Sequence, residues 1–202
     1  MSKIYCEEDL ISVVNEYGII NFWDENRLST WTLSGVNFNT LWSIRENAVN
    51  SKKVVYGKFL CKKATFVSLE LFPALCALRR DGYDFDSLSD EGLVPHREAL
   101  VMGAVNAAHE PVPSYALGKS LSMKGYDAVV TSLQNKTYLC LSFKKSMMGT
   151  ALLSAPEDMF GYDYVRSAYN DSAERNIQKL KSAKGLQIFT DSELTKILNK
   201  AI

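Results

Sequence analysis

Two histidines, His96 and His109, and four cysteines, Cys6, Cys61, Cys76 and Cys140, supply all the imidazoles and thiols of this 202-residue chain. The cysteines are far apart and form no C-x-x-C pair, so a zinc site of ordinary spacing is not expected and no metal or other cofactor is assigned. A cysteine nucleophile needs a neighbouring base, and the sequence puts none beside any of the four; they read as small buried hydrophobes of a reducing compartment. Carboxylates give weak catalytic candidates. Glu70, between Leu69 and Leu71 near an expected helix start, would gain acid–base character if desolvated, although the simpler role is favourable charge at a helix N-terminus. Glu46 is the other. Trp42, Arg45, Tyr56 and Lys58 set aromatic rings beside cations, a mixture that holds a base or a phosphate in a pocket by stacking and charge. The competing reading buries Trp42 and Phe59 in the core and lets Arg45 and Lys58 reach out to water.

These residues must be positioned by a chain with 47% hydrophobic and 23% charged residues, a profile that excludes general disorder and allows a substantial core. Lys+Arg 23 against Asp+Glu 23 gives zero formal charge, so an anionic partner would have to be held by a local patch. Charge is sorted along the sequence. Residues 42–63 carry Arg45, Lys52, Lys53, Lys58, Lys62 and Lys63 against Glu46, and residues 119–145 carry Lys119, Lys124, Lys136, Lys144 and Lys145 against Asp127. The segments 1–26, 81–91 and 157–174 are acidic. Such alternation builds one basic face, or it lets neighbouring segments pair on a solvated surface. No apolar run approaches a membrane span, and the start turns acidic at Glu7-Glu8-Asp9, where a secretion signal would be apolar; a cytoplasmic protein without a membrane partner is expected.

The periodicities predict an α+β fold. Leu10, Val13, Val14 and Tyr17 mark a helix over about 7–17, and Leu41 to Val49 suits another. Val54 to Leu60 and Ala64 to Val67 read as strands joined through Cys61-Lys62-Lys63, a hairpin. A helix from about Leu69 to Arg80 follows, with Ser68 as cap and Pro73 early, and then an acidic surface loop over 81–91. A soft boundary there separates an N-terminal α+β region, 1–92, from a second domain, 93–202, with a helical tail.

From 95 to 156 the pattern is sharper. Helices over about His96–Ala108, from Ser114, and from Tyr126 to about Asn135 precede strands Tyr138–Phe143 and Thr150–Ser154, with a basic tip at Lys144-Lys145. Three helices and a basic hairpin give the order of a winged helix-turn-helix, and the N-terminal region allows a tandem pair. In that motif lysines on the wing and turns touch phosphate while the third helix reads bases. Lys119, Lys124, Lys136, Lys144 and Lys145 are then the phosphate candidates, and Thr131 and Gln134 the base candidates. Such units also serve as protein-docking or homodimer modules, and a third helix without an outward arginine favours that use.

Several ordered segments together carry a resemblance: Trp42-Ser43-Ile44-Arg45-Glu46, Val55-Tyr56-Gly57-Lys58-Phe59, Ala64 through Pro73, Arg79-Arg80-Asp81-Gly82-Tyr83-Asp84, Leu133-Gln134, and Pro156 through Asp163. Over about residues 40–170 the chain resembles the short bacterial AlkZ-related proteins. The resemblance implies kinship with AlkZ-type DNA glycosylases, which are built from tandem winged helices and excise alkylated bases. Those enzymes position the attacking water with a Gln-x-Gln or Gln-x-Asp pair. Neither occurs here: the glutamines are Gln134, Gln178 and Gln187, and Asn135-Lys136 follows the first. The expectation is therefore a DNA-binding winged-helix protein without the glutamine pair. The alternatives are a diverged glycosylase, with Glu70 or Glu46 in its place, and a non-enzymatic interaction module.

Overall fold

The computed structural model describes residues 4–22, 38–108, 110–144, 150–187 and 189–199. Helix α1 (Glu7–Tyr17) begins where the Asp9 carboxylate accepts the N–H groups of Tyr5 (2.8 Å) and Cys6 (3.2 Å), donors that a helix start otherwise leaves open. It ends at Gly18, whose φ of 77° and close approach to Leu71, 2.4 Å from an added Cβ to Cδ1, suit only glycine. Strand β1 (Ile19–Asn21), helix α2 (Phe38–Asn50) and the hairpin β2 (Val54–Leu60) and β3 (Lys63–Ser68) complete the first unit. Its antiparallel sheet has the order β1-β3-β2.

Val54, Tyr56 and Phe66 pack with α1 and α2, while Val55, Phe59 and Val67 face the opposite side; the sheet is covered on both faces, and alternate residues serve separate cores. Leu60 pairs with Lys63, so the loop is the two residues Cys61 and Lys62, both left-handed at φ 51° and 59°. That is the twist-matched geometry of a type I′ turn, and it moves Lys63 from the expected loop into the strand.

Helix α3 (Phe72–Arg80) starts later than expected, with Pro73 in its first turn, where a missing N–H costs nothing. The segment expected as an acidic loop contains a short helix, α4 (Phe85–Asp90). Phe85 anchors it by an edge contact with Tyr138, ring centroids 5.2 Å apart, while Asp86 and Asp90 on the helix face water.

The second unit comprises α5 (His96–Ala108), β4 (Val112–Pro113), α6 (Ser114–Leu121), α7 (Tyr126–Asn135), β5 (Cys140–Lys144) and β6 (Thr150–Ser154). Val101, Val105, Leu117, Val130, Leu133, Leu139 and Leu153 fill its core. Gly118 lets α6 approach α7: a Cβ there would lie 2.9 Å from the Tyr126 ring. The antiparallel sheet has the order β4-β6-β5. Residues 111–113, which sequence marks only as a helix break, supply its edge strand, the place in a sheet that tolerates proline. Each unit thus places a helix before its first strand, a helix before its second, and the third strand in the middle of the sheet. The α+β fold with two small antiparallel sheets is consistent with a winged-helix-type architecture.

Helices α8 (Pro156–Phe160), α9 (Tyr162–Arg166), α10 (Ala173–Lys181) and α11 (Asp191–Asn199), with a 3-10 turn at Lys184–Leu186, return across the boundary expected near residue 92. Leu180, Leu186, Leu194 and Leu198 pack with Phe72 and Leu75 of α3 and with Phe59 and Val67 of the first sheet. Arg79, buried, donates to the carbonyls of Asn135 (3.3 Å) and Ile197 (2.6 Å). Both lie in the last turns of helices, where the backbone presents partial negative charge.

Candidate nucleic-acid interface

The two units meet along β2, α2, α7 and β5. The Lys58 N–H donates to Gln134 Oε1 at 2.8 Å and its ammonium to Thr131 Oγ1 at 3.3 Å. The Asn50 side chain donates to the Phe143 carbonyl (2.8 Å) and accepts the Phe143 N–H (3.0 Å). Arg45 is only 5% exposed. Its guanidinium carbon lies 3.9 Å from the centroid of the Trp42 ring, 4.0 Å from that of Phe143 and 5.6 Å from that of Tyr56, and it pairs with Glu46 at 3.4 Å. Burial lowers the Arg45 pKa, with Tyr56 and Glu46 opposing, and burial raises that of Tyr56. The box is electrostatically coherent, because ring faces and one carboxylate surround a cation.

Trp42, Arg45 and Tyr56 therefore come together as the sequence suggested, but Arg45 itself fills the space expected to take a base. Lys58 turns toward α7 instead. Gln134 is 2% exposed and engaged with Lys58, Thr131 is half-buried against the same lysine, and Lys136 pairs with Glu98 at 2.9 Å. All three make intramolecular contacts in the structure. For Thr131 and Gln134 the physical reason is that Lys58, on a strand of the first unit, lies against α7; Lys136, just past the end of α7, is held by Glu98 of α5 within the second unit. Lys119, Lys124 and Lys144 are exposed; Lys145 lies outside the described residues. Glu70 is exposed in the turn before α3, not desolvated within a helix, and Glu46 is spent on Arg45.

Two further groups join: Arg97, which sequence reasoning missed, and Lys52, which it counted only within the basic stretch 42–63. Arg97 reaches across to donate to the Lys124 carbonyl at 2.6 Å, gathering Arg97, Lys119 and Lys124 about the α6–α7 turn; near a helix start it reads in sequence as an ordinary solvated cation. Lys52 borders a cleft of about 290 Å³ with Asn50, Ser142, Phe143, Ser154 and Asp158. The Asn50–Phe143 bonds tie together the segments that carry Lys52, two residues after Asn50, and Lys144, the residue after Phe143.

A larger cleft, about 530 Å³, is lined by Asp84, Tyr138, Glu157, Asp158, Tyr162 and Arg166 among others. Asp84 accepts from the Tyr162 hydroxyl (2.9 Å) and from Arg166 Nε (3.2 Å). Glu157 pairs with buried Arg80, which also donates to Thr137 Oγ1 (3.2 Å) and lies 4.7 Å from the Tyr138 ring centroid. Burial raises the Tyr138 pKa, keeping its hydroxyl protonated. Arginines thus offset Asp84 and Glu157, whereas Asp158 is exposed and has no ion pair among the described residues. Only its position on α8, between the clefts, singles it out.

Among the described residues, no group of three or more His, Cys, Asp and Glu could hold a metal ion, and no helix is long and apolar enough to cross a membrane. A family model described as AlkZ related matches residues 4–201. No curated protein and no solved structure matches the chain.

Proposed function

The chain belongs to the AlkZ-related family, and from that premise we propose that it is a tandem winged-helix protein that binds DNA chiefly through backbone phosphates. The seam at Asn50 and Phe143 carries this reading. It ties the segment that carries Lys52, in the first cationic stretch, to the strand that ends in Lys144, in the second; on this reading both lysines reach one rim, and a molecule of zero net charge still offers phosphate a local positive surface. Lys119, Lys124 and Arg97 extend the cationic surface at the α6–α7 turn. The repeated strand order, with the third strand central in each sheet, supports two wings.

Fluorescence anisotropy of a labelled duplex, titrated from about 50 to about 200 mM salt, tests it, because each neutralised phosphate contributes about −0.9 to the slope of log affinity against log salt. Lys52→Ala with Lys144→Ala is expected to flatten that slope by about 1.8. No binding at the low-salt limit overturns the reading.

A second reading, a diverged base-excision enzyme, is favoured by the 530 Å³ cleft. Purines alkylated on a ring nitrogen carry positive charge, and the exposed Asp158 carboxylate on the cleft wall suits a flipped cationic base. Asp158 then orients water. Alkali-labile sites should form in an alkylated duplex and slow by about 10²–10⁴-fold with Asp158→Asn; a wild-type protein that forms none overturns it.

A further inference from the structure

The two units do not offer DNA equivalent helices. α2 and α7 hold the same place, each immediately before the second strand of its sheet. The outward side of α7 is closed: Thr131 and Gln134 are held by Lys58, Lys136 by Glu98, and the positions left exposed on the helix are Asp127 and Ala128. One of those is an acid, which phosphate repels.

On α2 the arrangement is reversed. Leu41, Ile44, Arg45, Ala48 and Val49 are buried, while Thr40, Ser43 and Asn47 are exposed. The i, i+3, i+7 spacing puts these three on one stripe, and each carries a short side chain able to donate and accept a hydrogen bond. Glu46 is drawn aside by Arg45, so the stripe shows no carboxylate. Exposed lysines follow the helix: Lys52 and Lys53 in the turn after its C-terminal end, Lys62 and Lys63 at the tip of the following hairpin. Glu8 lies close enough to feel the charge of Lys53. The tip is fixed by the type I′ turn, which holds Cys61 and Lys62 at positive φ. Glycine or asparagine would occupy those positions more comfortably, so the turn keeps a lysine at some conformational cost.

Resting on the DNA-binding reading, we infer that α2, not α7, is the helix laid against the duplex, with Thr40, Ser43 and Asn47 toward base edges and Lys52, Lys62 and Lys63 toward phosphates. A stripe whose exposed positions carry no acid, followed by exposed lysines in the next turn and at the hairpin tip, has the charge complementarity that double-stranded DNA requires. The α7 helix instead fastens the second unit to the first.

Two variants of the full chain decide this by anisotropy on the same labelled duplex. Ser43→Glu sets a negative charge on the stripe and is expected to weaken binding at least tenfold, whereas the uncharged Ala128→Gln on the exposed end of α7 changes it less than twofold. Lys62→Ala with Lys63→Ala is expected to flatten the salt slope by about 1.8; this pair, distant from any core, decides the matter if Ser43→Glu lowers the melting temperature. Wild-type affinity in a folded Ser43→Glu variant, or an unchanged slope in the lysine pair, overturns the assignment of α2 while DNA binding stands. Failure of the unaltered protein to bind removes the DNA-binding reading itself.

Discussion

At the scale of single residues, burial sets chemical character more than residue type does. Cys76 and Cys140 are buried, Cys6 and Cys61 exposed, although all four look alike in sequence. Burial pushes the Cys76 thiol up to about 11 from its ordinary 9.0 and raises Cys140 as well. Because the fold holds the proton more tightly than the unfolded chain does, the associated stability is complete below pH 9 and is lost as pH rises through 11. For Cys76 a shift of about two units is worth roughly 2–3 kcal/mol. Urea unfolding midpoints are expected to fall steadily across that window, and Cys76→Ala to reduce the drop; an unchanged midpoint at pH 11 contradicts the burial argument. Arg79 shows a different solution for a buried charge, two helix-end carbonyls in place of a carboxylate.

At the scale of elements, the covering of α7 has a measurable cost if undone. Gln134→Ala leaves the Lys58 N–H without its acceptor inside the seam, and losing a buried hydrogen-bond partner costs about 1–3 kcal/mol. The urea midpoint should fall accordingly while DNA affinity, corrected to the folded fraction, stays within twofold; a large affinity loss with unchanged stability would return Gln134 to the groove. The helices and hairpin over 95–156 were legible in sequence because Val101, Val105, Val129 and Leu133 repeat at helical spacing and Leu139, Leu141 and Phe143 alternate. The seam was not. Periodicity separates apolar from polar faces, and a glutamine that meets another segment's backbone has the same pattern as one that meets water. The type I′ turn escaped for a related reason, since Cys61 and Lys62 are not the residues that advertise positive φ.

At the scale of the whole molecule, the ordered segments that carried the family resemblance prove to be clasps. Arg45 lies in the ring box with Tyr56, Lys58 bonds Gln134, Arg80 pairs with Glu157, and Asp84 accepts from Tyr162. Segments far apart in sequence must keep their spacing for these pairs to form, which is why the resemblance was readable without any catalytic motif. Charge sorting was readable too, but only folding shows which lysines it leaves to solvent. Neutral composition does not forbid a local excess of cations, since acids such as Glu46, Asp84, Glu157 and Asp171 pair with arginines.

The packing of the last helices onto α3 and the outer side of the first sheet has a consequence for synthesis. Phe59, Val67, Phe72 and Leu75 find their cover in Leu180, Leu186, Leu194 and Leu198, residues translated more than a hundred codons later. While the ribosome is still making those codons, a greasy surface is bare on the emerging polypeptide, and a nascent-chain chaperone is the natural occupant of that interval.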